Sequence, residues 1–600
     1  MQRILISLLF SLFTIIIVGQ TASSLEGVEN DLNQILKATK GAGFAVAVVN
    51  KDKVIYSKGF GYRDYENKIP ADGNTLFAIG SSTKAFTSAI LGVLRKEDKL
   101  SFDDSPIKHI PELRFYNDEM NNGIIIEDLM THRTGLPRHD YSWYLFPSFN
   151  KDSLLQRVVH QEPFTEVRKQ WYYNNFMFLA QGVIAERLTG KSWEDNVRER
   201  FFQPLGMSRS NLSIKELEKS ANAAIGYGLK KDSIINKMKY YKIAGMAPAG
   251  SINSSVNEMS KWMMTWLNKG KFNDKEVIPA PYVDQAMGSH MVVSSGLPNK
   301  ELPNMHMSNY GYGWFISSYK GHYMVQHGGN IDGFSANVAL FPSDSIGVVV
   351  LANQNGSAIP SLVRNTISDR MLNVDKTDWV GKFKEGKEKA KKNAKEGEKS
   401  QSSGQKENTR PSHIKLDFTG SYSNPGYGPF EINVEKDSLF AKFLLKKMWL
   451  KHYHYDVFQP FEVKESKIDT SENSQLRFNF ITNDSGDISG VKLKVEAAID
   501  PILFKRTPNT IDVDAKTLEQ YVGDYEISTT TIKVYVKGEK TLYLFVAGQP
   551  EYELLATEKH KFVFKTVDGF KVSFIEGDDG KIVAVDMIQP NGTFKATRKE

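Results

Sequence analysis

The sequence predicts a mixed α/β (α+β) domain followed by two small all-β units, and three observations carry that reading. Strand-like runs and helical patterns mix from about Leu25 to Asn373. A charge-dense segment poor in apolar residues then interrupts the chain between residues 376 and 413. Beyond it, short alternating strands separated by Gly and Asp turns occur twice, over residues 416–507 and 511–600.

At the N-terminus, Met1-Gln-Arg3 is followed by an uncharged apolar run from Ile4 to Val18 and by small and polar residues to Ser24. One positive charge before an apolar run shorter than the roughly 20 residues of a spanning helix reads as a signal peptide over residues 1–23. The expectation is an exported protein, periplasmic or secreted, with the leader cleaved. The chain has no cysteine, which excludes disulfides, thiolate metal sites and a cysteine nucleophile, and suits a bacterial envelope.

The domain at residues 25–373 opens with Phe44-Ala-Val-Ala-Val-Val49 and closes near Ile346-Gly-Val-Val-Val-Leu351, both strand-like. Between them, Phe86, Ile90, Val93 and Leu94 recur at helical spacing, as do Phe178, Gln181, Val183, Ile184 and Leu188. Residues 376–413 bury too little apolar surface to offset ordering entropy alone, and read as a linker or a solvated helix. In the β repeats, Phe418-Thr-Gly-Ser-Tyr422 matches Tyr521-Val-Gly-Asp-Tyr525. Gly490 to Val495 matches Gly580 to Val585, and Phe504-Lys-Arg506 matches Phe594-Lys-Ala-Thr-Arg598.

Net charge is +6, but eleven Lys or Arg against six Asp or Glu between Lys376 and Arg410 account for +5 of it. The remainder is close to neutral and leaves no basic face for nucleic acid.

Gly80-Ser-Ser-Thr-Lys84 places a serine three residues before a lysine. The spacing alone carries little, because Ser105, Ser148, Ser317, Ser403, Ser412 and Ser489 share it. Context separates Ser81: strand-like Leu76 to Ile79 precedes it and a helical pattern follows. Lys84 therefore shares a helix face with the Ser81 hydroxyl. Near a helix N-terminus and partly buried, its charged form is disfavoured, so a neutral lysine could accept the serine proton. Ser82 and Thr83 are spacers. Such a nucleophile needs a second proton-handling group and oxyanion donors. Trp171-Tyr-Tyr-Asn-Asn175 offers a tyrosine two residues before an asparagine. His327-Gly-Gly-Asn330 offers a histidine and two glycines beside strand-like Phe334 to Leu340. His132, in a loop rich in Thr and Arg, reads as structural.

In this order, Ser-x-x-Lys, Tyr-x-Asn and His-x-Gly, residues 25–373 resemble the serine β-lactamase and penicillin-binding-protein superfamily. The nearest branch is that of class C β-lactamases, D-alanyl-D-alanine carboxypeptidases, D-aminopeptidases and related esterases. Leu129 to Pro137, Phe202 to Met207, Ala249-Gly-Ser-Ile252 and Tyr310-Gly-Tyr-Gly-Trp314 look like this family too. The resemblance implies an antiparallel sheet flanked by helices, Ser81 as the acylated nucleophile, Lys84 as its base and Tyr173 as a proton shuttle. It gives Asn175 to the substrate amide, Gly328 and Gly329 to substrate binding, and the backbone amides of Ser81 and Asn330 to an oxyanion hole. Tyr172 with Asn174 also satisfies Tyr-x-Asn, although the Tyr173 register leaves Gly182 and Glu186 where the family's next helix has Gly and Glu. His327 stands where most β-lactamases of the branch carry lysine, which resembles the carboxypeptidase and aminopeptidase members and implies peptide rather than antibiotic substrates.

His452 and His454 lie two apart on a predicted strand, but no third ligand is evident, so no metal and no organic cofactor is expected. The β repeats resemble lipocalin-like accessory domains, which implies a role in restricting access or in assembling a homo-oligomer. The expected activity is hydrolysis of small peptides or amides, D-amino-acid-containing ones among them, through an acyl-enzyme. An esterase, a low-turnover penicillin-binding or sensing protein, and a carbohydrate- or partner-binding role for the repeats are the alternatives.

Overall fold

Strand Gly43–Asn50 is apolar along nearly its whole length, and its alternation sends side chains into two cores. Ala45, Ala47 and Val49 face a large cluster with Phe86, Ile90 and Trp262. Phe44, Val46 and Val48 face a second with Leu32, Ile35, Val363 and Ile367. A strand buried on both faces needs cover on both sides. Helices Lys84–Lys96 and Val256–Leu267 contribute to the first cluster, and Val28–Thr39 and Ile359–Met371 to the second.

The structure, a computed structural model, describes residues 24–400, 404–464, 467–470, 474–567 and 569–599. The signal peptide expected over residues 1–23 lies outside them. By its internal contacts the chain divides into two units, residues 1–143 with 147–401, and residues 402–600 with 144–146.

The first unit is built on a nine-stranded sheet. In spatial order its strands are Met291–Ser294, Ser308–Tyr310, Phe315–Tyr319, His322–Ile331, Phe334–Phe341, Ile346–Ala352, Gly43–Asn50, Lys53–Asp64 and Ile69–Pro70. Every pairing is antiparallel, and the early strand closes against the late one with Val46 opposite Val350. Within the charged segment Trp379–Ser400 is a helix, the second of the two forms its composition allowed. Its first turn is anchored, because Trp379 is buried and donates its indole N–H to Asp369 Oδ2 at 2.8 Å. Composition averaged over the segment conceals that single aromatic anchor.

In the second unit each β repeat is a closed eight-stranded barrel, the first with the extra short strand Lys467–Ile468 on its rim. Leu145 and Phe146 lie in the first barrel's core with Tyr427, Phe430 and Phe504. Shared contacts fix the repeat. Tyr422 donates to Phe418 O and Tyr525 to Tyr521 O, both at 2.8 Å. Arg506 donates to Ile488 O and Arg598 to Ile582 O, both at 3.1 Å. These pairs correct two of the sequence matches. With Arg506 equivalent to Arg598, Phe504 corresponds to the buried Ala596 and not to Phe594, which is exposed. With Ile488 equivalent to Ile582, Gly490 corresponds to Ala584, and Gly580 sits in the preceding turn at φ +77°.

His452 and His454 lie on strand Lys447–His454. One ring bonds Tyr455 O and the other accepts from the Lys406 N–H. Among the described residues no helix is long and apolar enough to cross a membrane.

Candidate active site

Strand Phe77–Ala78 leads into a 3-10 turn, Gly80–Thr83, and the helix Lys84–Lys96 follows without a break. Gly80 has φ +51°, and a Cβ there would stand 2.9 Å from Asn330 N. Only glycine meets both demands at low cost. The two residues read as spacers secure the turn: Ser82 Oγ donates to His327 O at 3.1 Å, and Thr83 Oγ1 accepts from the Ile252 N–H at 3.2 Å. The nucleophile turn is thus tied to two other segments.

Lys84 is fully buried. Its Nζ lies 2.7 Å from Asn175 Oδ1, 2.8 Å from Ala249 O and 3.3 Å from Ser81 Oγ. Burial holds this amine well below the usual lysine pKa; the Arg138 charge adds to the effect and Asp140 opposes it. A neutral amine has two N–H groups and one lone pair. Two carbonyl-type acceptors occupy the N–H groups, which leaves the lone pair for the Ser81 hydroxyl proton. That is the arrangement a general base requires.

Asn174 caps helix Asn175–Thr189 by accepting from Met177 N, and donates its amide to Pro137 O at 2.6 Å. The next residue, Asn175, reaches Lys84. Tyr173 and Asn175, not Tyr172 and Asn174, therefore stand against Lys84, whose Nζ is 4.7 Å from the Tyr173 ring centroid. Burial raises the Tyr173 phenol above its usual range, more than the nearby Ser81 hydroxyl and Arg138 charge lower it. Its hydroxyl is buried without a hydrogen-bond partner among the described residues. The phenol stays protonated at neutral pH, so it is fitted to relay a proton rather than to act as a standing base.

His327 is buried, and burial, followed by the Lys84 charge, pulls its pKa down to about 3. The ring is neutral and both nitrogens are engaged: Nδ1 lies 2.6 Å from Gly328 O and Nε2 lies 3.0 Å from the Tyr310 hydroxyl. Since a carbonyl can only accept, Nδ1 carries the proton and Tyr310 donates to Nε2. His327 therefore brings no positive charge to the position where lysine was expected in relatives. His132 is buried behind it, accepts from the Asn174 N–H at Nδ1 and receives the Tyr172 N–H at its carbonyl oxygen. With its ring 4.4 Å from that of Tyr173, it positions the Tyr-x-Asn segment.

Gly329 makes the closest approach in the site. A Cβ there would lie 1.8 Å from Ile79 O and 3.1 Å from Ser81 N, which brings the strand against the nucleophile turn. Asn330 is held by its own Oδ1, which accepts from Ser335 Oγ and from the Gly356 N–H. Ser81, Tyr173, His327, Gly328, Gly329 and Asn330 line one cleft of about 810 Å³. A second cavity of about 460 Å³, mostly apolar, contains none of these side chains.

Sequence reasoning missed three participants. Ala249 O binds Lys84, and a backbone oxygen leaves no signal in a residue pattern beyond the quoted Ala-Gly-Ser-Ile. Arg138 lines the cleft with its guanidinium carbon 4.8 Å from the Tyr173 ring centroid. Asp140 accepts from Arg138 Nε at 2.5 Å and from Asn175 Nδ2 at 2.8 Å. Both lie just beyond Leu129 to Pro137, a stretch read only for its likeness to other proteins.

Comparison with known proteins shows which family the chain resembles. The Beta-lactamase family profile matches residues 28–367, and a profile described as Domain of unknown function (DUF3471) matches residues 404–506. Protein flp of Staphylococcus aureus (strain COL) is 27% identical over 350 residues, which cover 58% of this chain and 66% of that protein, just under two thirds of its length. Unguisins hydrolase ungD' of Aspergillus campestris is 28% identical over 453 residues, 71% of this chain and 82% of that one. Among solved structures, the octameric penicillin-binding protein homologue from Pyrococcus abyssi superposes with a TM-score of 0.54 at 20% identity. The match covers 80% of this chain and 100% of that one, a likeness of fold.

Proposed function

The chain belongs to the Beta-lactamase family, and from that membership we propose that it is an exported serine hydrolase. It acts through an acyl-enzyme at Ser81 on small peptide or amide substrates, D-amino-acid-containing ones among them. The observation that carries the reading is the buried Lys84 amine, shared between Asn175 Oδ1, Ala249 O and the Ser81 hydroxyl. The relative named as a hydrolase supports it further.

In this mechanism Lys84 Nζ takes the Ser81 proton as Oγ attacks the substrate carbonyl carbon. The carbonyl oxygen gains the electron pair and faces the N–H groups of Ser81 and Asn330. As the carbonyl re-forms, the bond to the leaving group breaks, and Tyr173 passes a proton to the departing atom and recovers one from Lys84. Water then attacks the acyl-enzyme, surrenders a proton along the same route, and releases the acid with Ser81 restored.

Residues 1–23 direct export in this reading, and the paired barrels bring like subunits together. Turnover of a D-amino-acid dipeptide amide and of a short acyl ester, measured on one preparation of wild type and Ser81→Ala, tests the activity. The expected result is loss of both activities in the variant, with the amide the better wild-type substrate. Hydrolysis retained by Ser81→Ala would overturn it.

A further inference from the structure

The mostly apolar cavity of about 460 Å³ in the first unit takes no part in the mechanism above, and none of the residues assigned to hydrolysis lines it. Leu212, Leu217 and Phe334 form its buried wall, whereas Ile214, Tyr240 and Ile331 are only half-buried. Phe149 also lines it and is 61% exposed. Aliphatic and aromatic side chains around one hollow thus keep apolar surface in water that a ligand would cover, and covering it favours binding.

The charged groups of the lining are unequally engaged. All three carboxylates have donors. Glu194 faces the Lys151 ammonium at 2.9 Å, and Glu216 takes Arg198 and the Ser213 hydroxyl, each at 2.9 Å. Asp332 accepts the Tyr241 N–H at 3.0 Å. Arg198 is neutralised by the same Glu216. Lys215 and Lys242 line the cavity with no hydrogen-bond or ion-pair partner among the described residues.

A ligand that meets both conditions is apolar along its body and anionic at one end. Size bounds its length. A cavity of about 150 Å³ holds one benzene ring, so about 460 Å³ has room for on the order of 18 carbon atoms.

We propose that this cavity binds a long-chain carboxylate of about 10 to 16 carbons, with the chain in the apolar hollow and the head group at Lys215 and Lys242. The inference stands apart from the serine-hydrolase reading and does not depend on it.

Calorimetric titration of the whole chain with octanoate, decanoate and dodecanoate tests it. Affinity should rise by up to about fourfold for each methylene added, the worth of burying one CH₂. Ile214→Trp, which fills the hollow, should weaken dodecanoate binding at least about 10-fold. Lys215→Glu combined with Lys242→Glu should weaken it roughly 3- to 30-fold, less at high salt, and leave dodecanol binding unchanged. Thermal unfolding shows that each variant is folded, and the lysine variant decides the head group even if Ile214→Trp is not. Ser81→Ala should bind dodecanoate as the wild type does. No saturable binding of dodecanoate overturns the proposal. So does an affinity unchanged by the folded Ile214→Trp variant, which would put the chain elsewhere, or one unchanged by the lysine variant. Loss of binding in Ser81→Ala would put the acid in the catalytic cleft and equally overturn it. The hydrolase reading survives each of these results, since it stands on turnover and not on this cavity.

Discussion

Gly329→Ala is the sharpest structural test of the oxyanion arrangement. An added Cβ would sit 1.8 Å from Ile79 O, whereas a carbon meets a carbonyl oxygen comfortably at roughly 3.4 Å, so strand or turn must yield by about 1.6 Å. The yielding atoms are backbone on both sides, and the displaced segments carry Ser81 N and Asn330 N. A misplacement of about 1 Å near reacting groups costs on the order of 10²-fold, and loss of one oxyanion donor about 10²- to 10³-fold in kcat. Gly329→Ala should therefore lower kcat for a 4-nitrophenyl ester by about 10²- to 10³-fold with a smaller effect on KM. Gly328→Ala is the matched comparison: its Cβ would find nothing nearer than Ala336 O at 3.5 Å. It should lose far less kcat and leave thermal unfolding of the catalytic unit unchanged. Equal losses at the two positions, or a Gly329→Ala enzyme within threefold of wild type, would refute the reasoning.

Other expectations are open to simple assays. Lys84→Met should lower kcat/KM by about 10²- to 10⁴-fold, the usual contribution of a positioned base, as read by ester hydrolysis at pH 7.5. Because burial lowers the Lys84 pKa and raises that of Tyr173, kcat/KM should rise with pH to a plateau that begins well below pH 10. It should show no inflection at the ordinary imidazole value, because the His327 pKa is about 3. For stability the sign is fixed by the same group. Between about pH 6.5 and pH 3 the unfolded chain binds a proton that folded His327 excludes. Stability is therefore fully present above pH 6.5 and declines as the pH falls through that window, by up to about 5 kcal/mol at the lower end. Urea titrations of the catalytic unit at pH 7 and pH 4 measure it. Trp379→Ala should destabilise the same unit by about 3 to 5 kcal/mol through a cavity, with Asp369 Oδ2 keeping only the Thr377 N–H of its two donors, read by thermal unfolding.

What the sequence revealed follows from how each feature is encoded. Ser81 and Lys84 were legible because helical spacing is local and because two further motifs follow in order. Spacing alone gave six false matches. The roles of Ser82 and Thr83 were not legible, since their partners, His327 O and the Ile252 N–H, are backbone groups about 245 and 169 positions away. Arg138 and Asp140 were missed because their significance lies in a loop crossing that no periodicity records. The barrels were read correctly as a repeat of all-β units, but two matched stretches were out of register. A strand's alternating pattern survives a shift of two or four residues, and only the recurring Arg506–Ile488 and Arg598–Ile582 contacts distinguish the frames.

The identity of the acylated atom is the most direct test of the Ser81 chemistry. Wild-type protein treated with a fluorophosphonate, digested and sequenced by mass spectrometry should carry one adduct, on Ser81, with Lys84→Met labelled far more slowly at neutral pH. An adduct on Ser105, Ser317 or another serine, with Ser81 unmodified, would contradict it.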